Sequence, residues 1–373
     1  MLHLDLPTLD EIKQLNAMRA DACVSIYLET TPLTQHTGGT RIELRNKLDE
    51  AVRQLGGSTL NKARMTPLVE GIQDLIDDDE FWRVQANSLA VLATPDSIRT
   101  WRLANKLTPI VEVSDRFHLK PLIRAVTFPH TAIVLALSEN GVRVLEVLPS
   151  GAPEAIKVPG MPKDAASSVG KSSINDRAPS GRIQGAEGKK VRLAQYARQV
   201  DAALRPILTG LHTPLILAAA EPLASIYRQV NTSADLVAEG IGGNPDKVTD
   251  ADLAASARTC LDRLYADLVK AFQEQFDVRK AEGRTTTDLA HAARAATYGA
   301  IAAILVDMDE TVPGTVDDTT GEVAFASGPG KDSYGVVDEI AGRALATGAT
   351  VLAVRKADIP GRGHLAAIMR YPF

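Results

Sequence analysis

Cysteine is scarce in this chain. Cys23 and Cys260 are its only two, far apart and outside any CxxC or CxxH pattern. That spacing argues against a zinc site and for two free, buried thiols in a reducing compartment. Long apolar runs are also lacking. The longest, near Leu215–Ala220 and Ala300–Val306, fall far short of the roughly 20 residues a membrane-spanning helix needs. Residues Met1–Leu15 show no basic stretch followed by an apolar run. No secretory signal is therefore expected, and a cytoplasmic location follows. There is no P-loop and no GxGxxG, so nucleotide hydrolysis is not expected. There is no GxSxG elbow. The seven histidines are scattered, and none pairs with another at metal spacing; His118, His130, His291 and His364 read as packing or surface residues. Asp307, Asp309, Glu310, Asp317 and Asp318 form an acidic run without the spacing of a calcium loop, and read as an exposed hairpin. No metal and no cofactor are expected. The net charge of −5 excludes a polycation built to coat nucleic acid, so any such contact must come from a local patch.

What is present fits a globular α/β chain. At 373 residues, two or three domains are expected. Thr8 caps a helix through Arg19, with Glu11 at capping-box spacing. Cys23–Leu28 alternates and is rich in β-branched residues, which predicts a strand. Helices are expected over Arg41–Gln54 and Lys62–Ile76, and a strand pair over Asn87–Thr94 and Ile98–Leu103. Val111–Leu122 leads toward a second domain. There Ala132–Leu137 and Val142–Val147 flank the turn Glu139-Asn140-Gly141, since Asn-Gly readily takes the positive φ values of a hairpin. A strand at Pro214–Ala219, a helix at Leu223–Val230 and a turn at Gly240–Gly243 follow. A long helix from Thr249-Asp250 to about Ala281 places Leu253, Leu261, Leu264, Leu268 and Phe272 on one side. Beyond Arg284, the spacing predicts helices over Asp288–Ala296 and Tyr334–Thr347, the second stopping at Gly348. Strands are expected at Ala300–Val306, Glu322–Ala326, Thr350–Val354 and Leu365–Arg370.

One segment stands apart. Val158–Lys190 is polar, rich in Gly, Ser and Pro, and runs into a basic helix reaching about Leu208. Structureless loops of that length inside compact domains are usually functional or disordered. Between Arg177 and Arg198 the chain carries Arg177, Arg182, Lys189, Lys190, Arg192 and Arg198 against the single acid Glu187. Such a cluster beside a glycine-rich loop can follow a phosphate backbone.

Four stretches together resemble a known family. They are Val24–Leu28, VSDRFHLKPLIRAV at 113–126, TYGAIAAILVDMDETVPGTVDD at 297–318, and ADIPGRGHLAAIMRYPF at 357–373. Their order resembles the archaeal and eukaryotic peptide-chain release factors and Pelota, and more closely the bacterial relatives of those proteins. The resemblance implies a three-domain α/β layout. An N-terminal α/β domain would cover 1–124. A ribonuclease-H-like middle domain would cover 125–248, with its long loop at 158–188. A bridging helix would occupy 249–283. The C-terminal α/β/α sandwich at 284–373 would be like the kink-turn-binding ribosomal proteins. It also implies a Gly-Gly-Gln loop before the basic helix, whose glutamine helps water attack the peptidyl-tRNA ester. Ser180-Gly181-Arg182-Ile183-Gln184-Gly185 lies in that place, so Gln184 is the candidate catalytic residue. Arg182 and Ile183 stand where the family has glycines that permit close backbone approach. Gly242-Gly243-Asn244 follows a strand and reads as a turn. The first domain has no stop-codon-reading motif of the Asn-Ile-Lys-Ser type.

The leading expectation is a translation-associated factor of bacterial type. It binds the ribosome in a release-factor-like manner, in rescue, hibernation or stalled-complex handling, without reading stop codons. Its RNA contacts would be Arg177, Arg182, Lys189, Lys190, Arg192 and Arg198. Ribosomal RNA and tRNA are the expected nucleic acids, with no DNA and no membrane. One alternative is a peptidyl-tRNA ester hydrolase using Gln184. Another is a module that binds a translational GTPase through its last domain, where seven basic side chains from Thr285 onward face eleven acidic ones.

Overall fold

The computed structural model describes residues 4–31, 37–56, 61–128, 130–149, 151–168, 186–209, 213–328 and 333–373. The architecture is mixed α/β with several sheets, in two compact units: Met1–Pro129 with Asp267–Phe373, and His130–Ala266.

The first unit begins with α1 (Leu9–Ala17). Thr8 Oγ1 accepts the Glu11 N–H at 3.2 Å, and the Glu11 carboxylate accepts the Thr8 N–H at 2.8 Å. This reciprocal box satisfies two of the helix's orphan donors. Strand β1 (Cys23–Glu29) is central in an antiparallel sheet of order β3-β2-β1-β4, with β2 at Ser88–Thr94, β3 at Ser97–Leu103 and β4 at Ile110–Ser114. Val24, Ile26 and Leu28 point to one face, where α2 (Thr37–Gly56) and α3 (Lys62–Asp77) bury Leu44, Leu48, Leu68 and Ile72. Cys23 and Tyr27 point to the other face and its separate core. Burial on both faces explains why β1 is apolar almost throughout despite its period of two. Val111–Leu122 spans two elements. Its first part is the edge strand β4, and its last part opens α4 (Lys120–Thr127).

The second unit is built on β5 (Ala132–Leu137) and β6 (Val142–Val147). The Ser138 hydroxyl accepts the N–H groups of Asn140 and Gly141 in the connecting turn, both at 3.0 Å. The sheet order is β7-β6-β5-β8-β9, with β7 at Glu154–Ala155, β8 at Leu215–Ala219 and β9 at Ile241–Gly242. β8 runs parallel to both β5 and β9, while β6 is antiparallel to β5. After the single-turn α5 (Ala165–Ser168) come α6 (Ala186–Leu208) and α7 (Leu223–Val230). They cover the face carrying Ile133, Leu135 and Leu137. The other face, with Ala132, Val134 and Ala136, is covered by Leu253, Ala254, Ala257 and Leu261 of α8 (Asp250–Lys280). The expected turn at Gly240–Gly243 contains β9, and only Gly243, at φ +103°, takes the left-handed conformation.

The single apolar side expected for α8 is corrected. Phe272 is buried as expected, but Leu268 is exposed, and Val269 and Phe276 are buried in its place. At about 100° per residue, the buried direction rotates between Leu261 and Val269. The two halves of the helix belong to different units, so no single stripe serves both.

The rest of the first unit starts at β10 (Thr285–Thr286) and α9 (Leu289–Thr297), where Asp288 Oδ1 accepts the His291 N–H at 2.7 Å. Strands β11 (Ile301–Asp307), β15 (Thr350–Val354) and β16 (Leu365–Met369) join β10 in the order β10-β16-β11-β15, with β11 and β15 parallel. A small sheet contains β12 (Pro313–Val316), β13 (Val323–Phe325) and β14 (Tyr334–Gly335), followed by α10 (Val336–Ala346). Ile12, Leu15, Tyr27 and Leu122 share one core with Ile304, Ile340 and Ala344. The first and last segments of the chain therefore fold as one unit. Among the described residues, no helix is long and apolar enough to cross a membrane.

Candidate nucleic-acid interface

Helix α6 is held by a stripe of Leu193, Ala197, Val200, Leu204 and Leu208, all buried against β5 and β8. Their spacing of three and four residues puts them on one side. Tyr196 is fully buried, and its hydroxyl donates to the Ser138 carbonyl at 2.9 Å. Burial pushes its ionisation well above the usual phenol range. Gln199 donates to the Ser168 carbonyl at 3.0 Å, tying α6 to α5. At the far end, Asp201 accepts the Thr232 N–H at 3.0 Å and hydroxyl at 2.8 Å.

The opposite side is basic. Lys189, Lys190, Arg192 and Arg198 are all exposed. Lys189 Nζ lies 2.8 Å from Glu139 Oε1 in the β5–β6 turn, so its charge is partly answered there. Lys190, Arg192 and Arg198 have no acidic partner among the described residues. They do not form one line: Arg192 and Arg198 lie about 9 Å apart along the axis and point about 120° apart. The cations thus spread over the solvent side of the helix. Arg177, Arg182 and Gln184 lie outside the described residues.

Lys189 sets the start of α6 beside a cleft of about 230 Å³ at the carboxyl ends of β5 and β8. Glu139, Glu221 and Asp246 line it, with Asn140 and Asn244. Asn140 Nδ2 donates to Asp246 Oδ2 at 2.7 Å. Hydrogen bonds from Ser138 and Asn140 hold the Asp246 carboxyl below the usual range. A cleft lined by carboxylates repels phosphate. Gly242-Gly243-Asn244 closes this region as a turn, with Asn244 Oδ1 accepting the Asp246 N–H at 3.1 Å.

A second concentration of charge escaped sequence reasoning. In the first unit, Arg116, His118, Lys120, Asp338 and Glu339 pack together. Glu339 is 4% exposed and pairs with Arg116 and Arg343, each at 2.7 Å. Burial opposes its charge, but the two guanidinium groups outweigh it and hold the carboxyl below its usual value. His118 is buried, with neither ring nitrogen hydrogen-bonded among the described residues. Burial, reinforced by Lys120, lowers its pKa to about 3. Two acids inside the otherwise apolar run Val336–Leu345 were the available signal. The reading of the acidic run at 307–318 as exposed holds for Asp309, Glu310, Asp317 and Asp318 and is corrected for Asp307, which is fully buried. Buried Asp307, Asp338 and Glu339 do not contribute to an acidic surface in the last 90 or so residues, so the face open to a partner is less acidic than the residue count implies. Neither thiol is poised for reaction: burial raises Cys23 to about 12 and also raises Cys260.

These features define a multi-sheet α/β protein whose middle unit displays a basic helix on a five-stranded sheet. Residues 129–267 match the model of bacterial archaeo-eukaryotic release factor family 11. That segment is therefore related to the bacterial release-factor-like proteins, in line with the resemblance read from the sequence. No curated protein matches it. Among solved structures, the archaeal translation termination factor aRF1 is 14% identical, with 98% of this chain and 99% of that chain covered, at a TM-score of 0.25. Archaeoglobus fulgidus Pelota is 12% identical over 100% and 99% of the two chains, at 0.30. Saccharomyces cerevisiae Dom34, described as a translation termination-like factor, is 12% identical over 74% and 75%, at 0.41. Overlays this loose add nothing to the assignment.

Proposed function

We propose that this protein is a translation-associated factor that binds the ribosome in a release-factor-like manner, acting in rescue, hibernation or stalled-complex handling without reading stop codons. The observation that carries this reading is the family match over 129–267, the segment that contains α6 and its exposed cations. Arg177, Arg182, Lys189, Lys190, Arg192 and Arg198 are proposed to contact ribosomal RNA or tRNA, in the cytoplasm. The order β7-β6-β5-β8-β9, with β6 antiparallel to both β5 and β7 and the remaining pairs parallel, supports a ribonuclease-H-like middle domain. The proposed layout remains 1–124, 125–248, a bridging helix over 249–283, and a kink-turn-binding-like sandwich over 284–373. A translational GTPase is the proposed protein partner.

Ribosome pelleting tests the reading. Wild-type protein is expected to co-sediment with ribosomes at low salt and to be released as salt rises, because counterion release makes phosphate contacts salt-dependent. Reversing Arg177, Arg182, Lys189, Lys190 and Arg192 to Glu should abolish pelleting. Unchanged pelleting of that variant would refute the proposal. A release assay on peptidyl-tRNA-loaded ribosomes then distinguishes docking from hydrolysis. Activity lost in Gln184→Ala would establish the esterase reading, and no activity in wild type would leave docking alone.

A further inference from the structure

Three strand ends meet in the last part of the first unit. β11 and β15 are parallel and finish side by side, and β16 begins next to them. In open α/β sheets, ligands bind outside the carboxyl ends of such strands. Asp307 closes β11. Its N–H donates to the His364 carbonyl at 2.8 Å, and the next N–H, of Met308, donates to Val354 at 3.0 Å. Potential ligand atoms of Asp307, Glu310 and His364 lie within 4.8 Å of one another.

Two of these groups have unused capacity. Asp307 is 0% exposed, and its Oδ2 has no hydrogen-bond partner among the described residues, while Oδ1 receives the Asp309 N–H at 3.2 Å. His364 Nδ1 is also shielded and without a hydrogen bond. It lies 3.4 Å from Glu310 Oε2 without making a hydrogen bond among the described residues. A buried carboxylate oxygen is ordinarily satisfied by a donor or by a cation.

We propose that Asp307, Glu310 and His364 form a divalent metal site suited to Zn²⁺. One imidazole nitrogen and two carboxylate oxygens match the donors zinc takes, with a fourth position open to water. Mg²⁺ and Ca²⁺ prefer all-oxygen surroundings. The loop bearing two of the ligands is already set. Lys120 Nζ donates to the carbonyls of Asp307 at 2.8 Å and Glu310 at 2.5 Å, shaping residues 307–310 without consuming either carboxylate by hydrogen bonding. Lys356 Nζ lies 2.8 Å from Glu310 Oε2 on the exposed side. Exposed ion pairs are weak, so this ammonium acts as a displaceable counter-ion that the metal replaces. Pairwise histidine spacing could not reveal the site, because its one histidine comes from a different strand end than its carboxylates.

The experiment is calorimetric titration of Zn²⁺ into chelator-treated full-length protein, with Mg²⁺ as a control and melting temperature as a second readout. Wild type should bind one saturating equivalent of Zn²⁺, melt higher with it, and bind no Mg²⁺. His364→Ala and Glu310→Gln sit at partly exposed positions, and each should weaken binding about tenfold or more. Lys356→Ala should tighten it. His364→Gln serves as the second histidine variant should His364→Ala lose the native circular dichroism spectrum. The proposal is overturned if wild type shows no one-to-one Zn²⁺ binding, or if either folded histidine variant binds and melts as wild type does.

Discussion

Asp338 Oδ1 accepts the backbone N–H of Lys120 at 2.6 Å, joining residues 218 positions apart, and accepts the Leu119 N–H at 2.8 Å. A carboxyl on the last helix thereby caps the first turn of α4. Helix N-termini favour negative charge, but burial works the other way and raises the Asp338 pKa from 3.8 to about 7.

That shift has an opposing neighbour. Asp338 binds its proton more tightly when folded, so its contribution is present below 3.8 and lost as pH rises to about 7. His118 falls from 6.5 to about 3, so its contribution is present above 6.5 and lost as pH falls toward 3. The two contributions offset each other between about pH 4 and pH 6.5. Relative to wild type, Asp338→Asn should lose stability on acidification across that window, and His118→Asn should gain it. Urea midpoints at several pH values check this. Parallel curves for wild type and both variants would contradict it.

Arg116 pairs with buried Glu339 at 2.7 Å and stacks on Tyr334 with its guanidinium carbon 3.9 Å from the ring centre. Arg116→Met leaves Glu339 buried with one cation fewer and should cost about 3–5 kcal/mol. Arg116→Lys should recover little, because an ammonium cannot bridge Asp115 and Glu339 while stacking on a ring. Chemical denaturation measures both. Wild-type stability in the Met variant would show that the pair contributes nothing net.

Gly348 and Gly321 both adopt positive φ, at +78° and +70°. A Cβ at Gly348 meets nothing within 4 Å, so Gly348→Ala should cost only the left-handed strain of about 1–2 kcal/mol. A Cβ at Gly321 would lie 2.7 Å from the Arg294 Cα and 3.0 Å from the Ala293 carbonyl oxygen. Gly321→Ala should therefore lower the melting temperature clearly further. Equal losses would mean that packing against α9 does not restrict this turn.

Tyr196→Phe removes the donor to the Ser138 carbonyl and should cost about 1–2 kcal/mol. Leu204→Ala opens a cavity under α6 and should cost about 2–5 kcal/mol. Ribosome pelleting of the folded variants should be unchanged, since both side chains face the core. Loss of pelleting without unfolding would place the interface elsewhere than the exposed side of α6.

Much of the local structure was legible in the chain. Thr8 and Glu11 announced α1, the alternation at Cys23–Leu28 announced β1, and Asn140-Gly141 marked the β5–β6 turn, because each signal is complete within a few residues. The basic side of α6 was legible for the same reason. Leu268 was misplaced because helical periodicity assumes one partner along the whole helix, and α8 has a different core against each half. Asp338 and Glu339 were counted as surface acids because nothing near them in sequence names Arg116 or Lys120.

The sequence by itself determined most of the longer strands and helices, the charge of α6 and the family to which residues 129–267 are related. These depend on periodicity, caps and motifs, which are short-range. Only the tertiary structure decided that the first and last segments share a core, that Asp338 and Glu339 are buried among cations, and that Asp307, Glu310 and His364 meet. Burial and pairing are properties of what packs against a residue, and those partners lie far away along the chain.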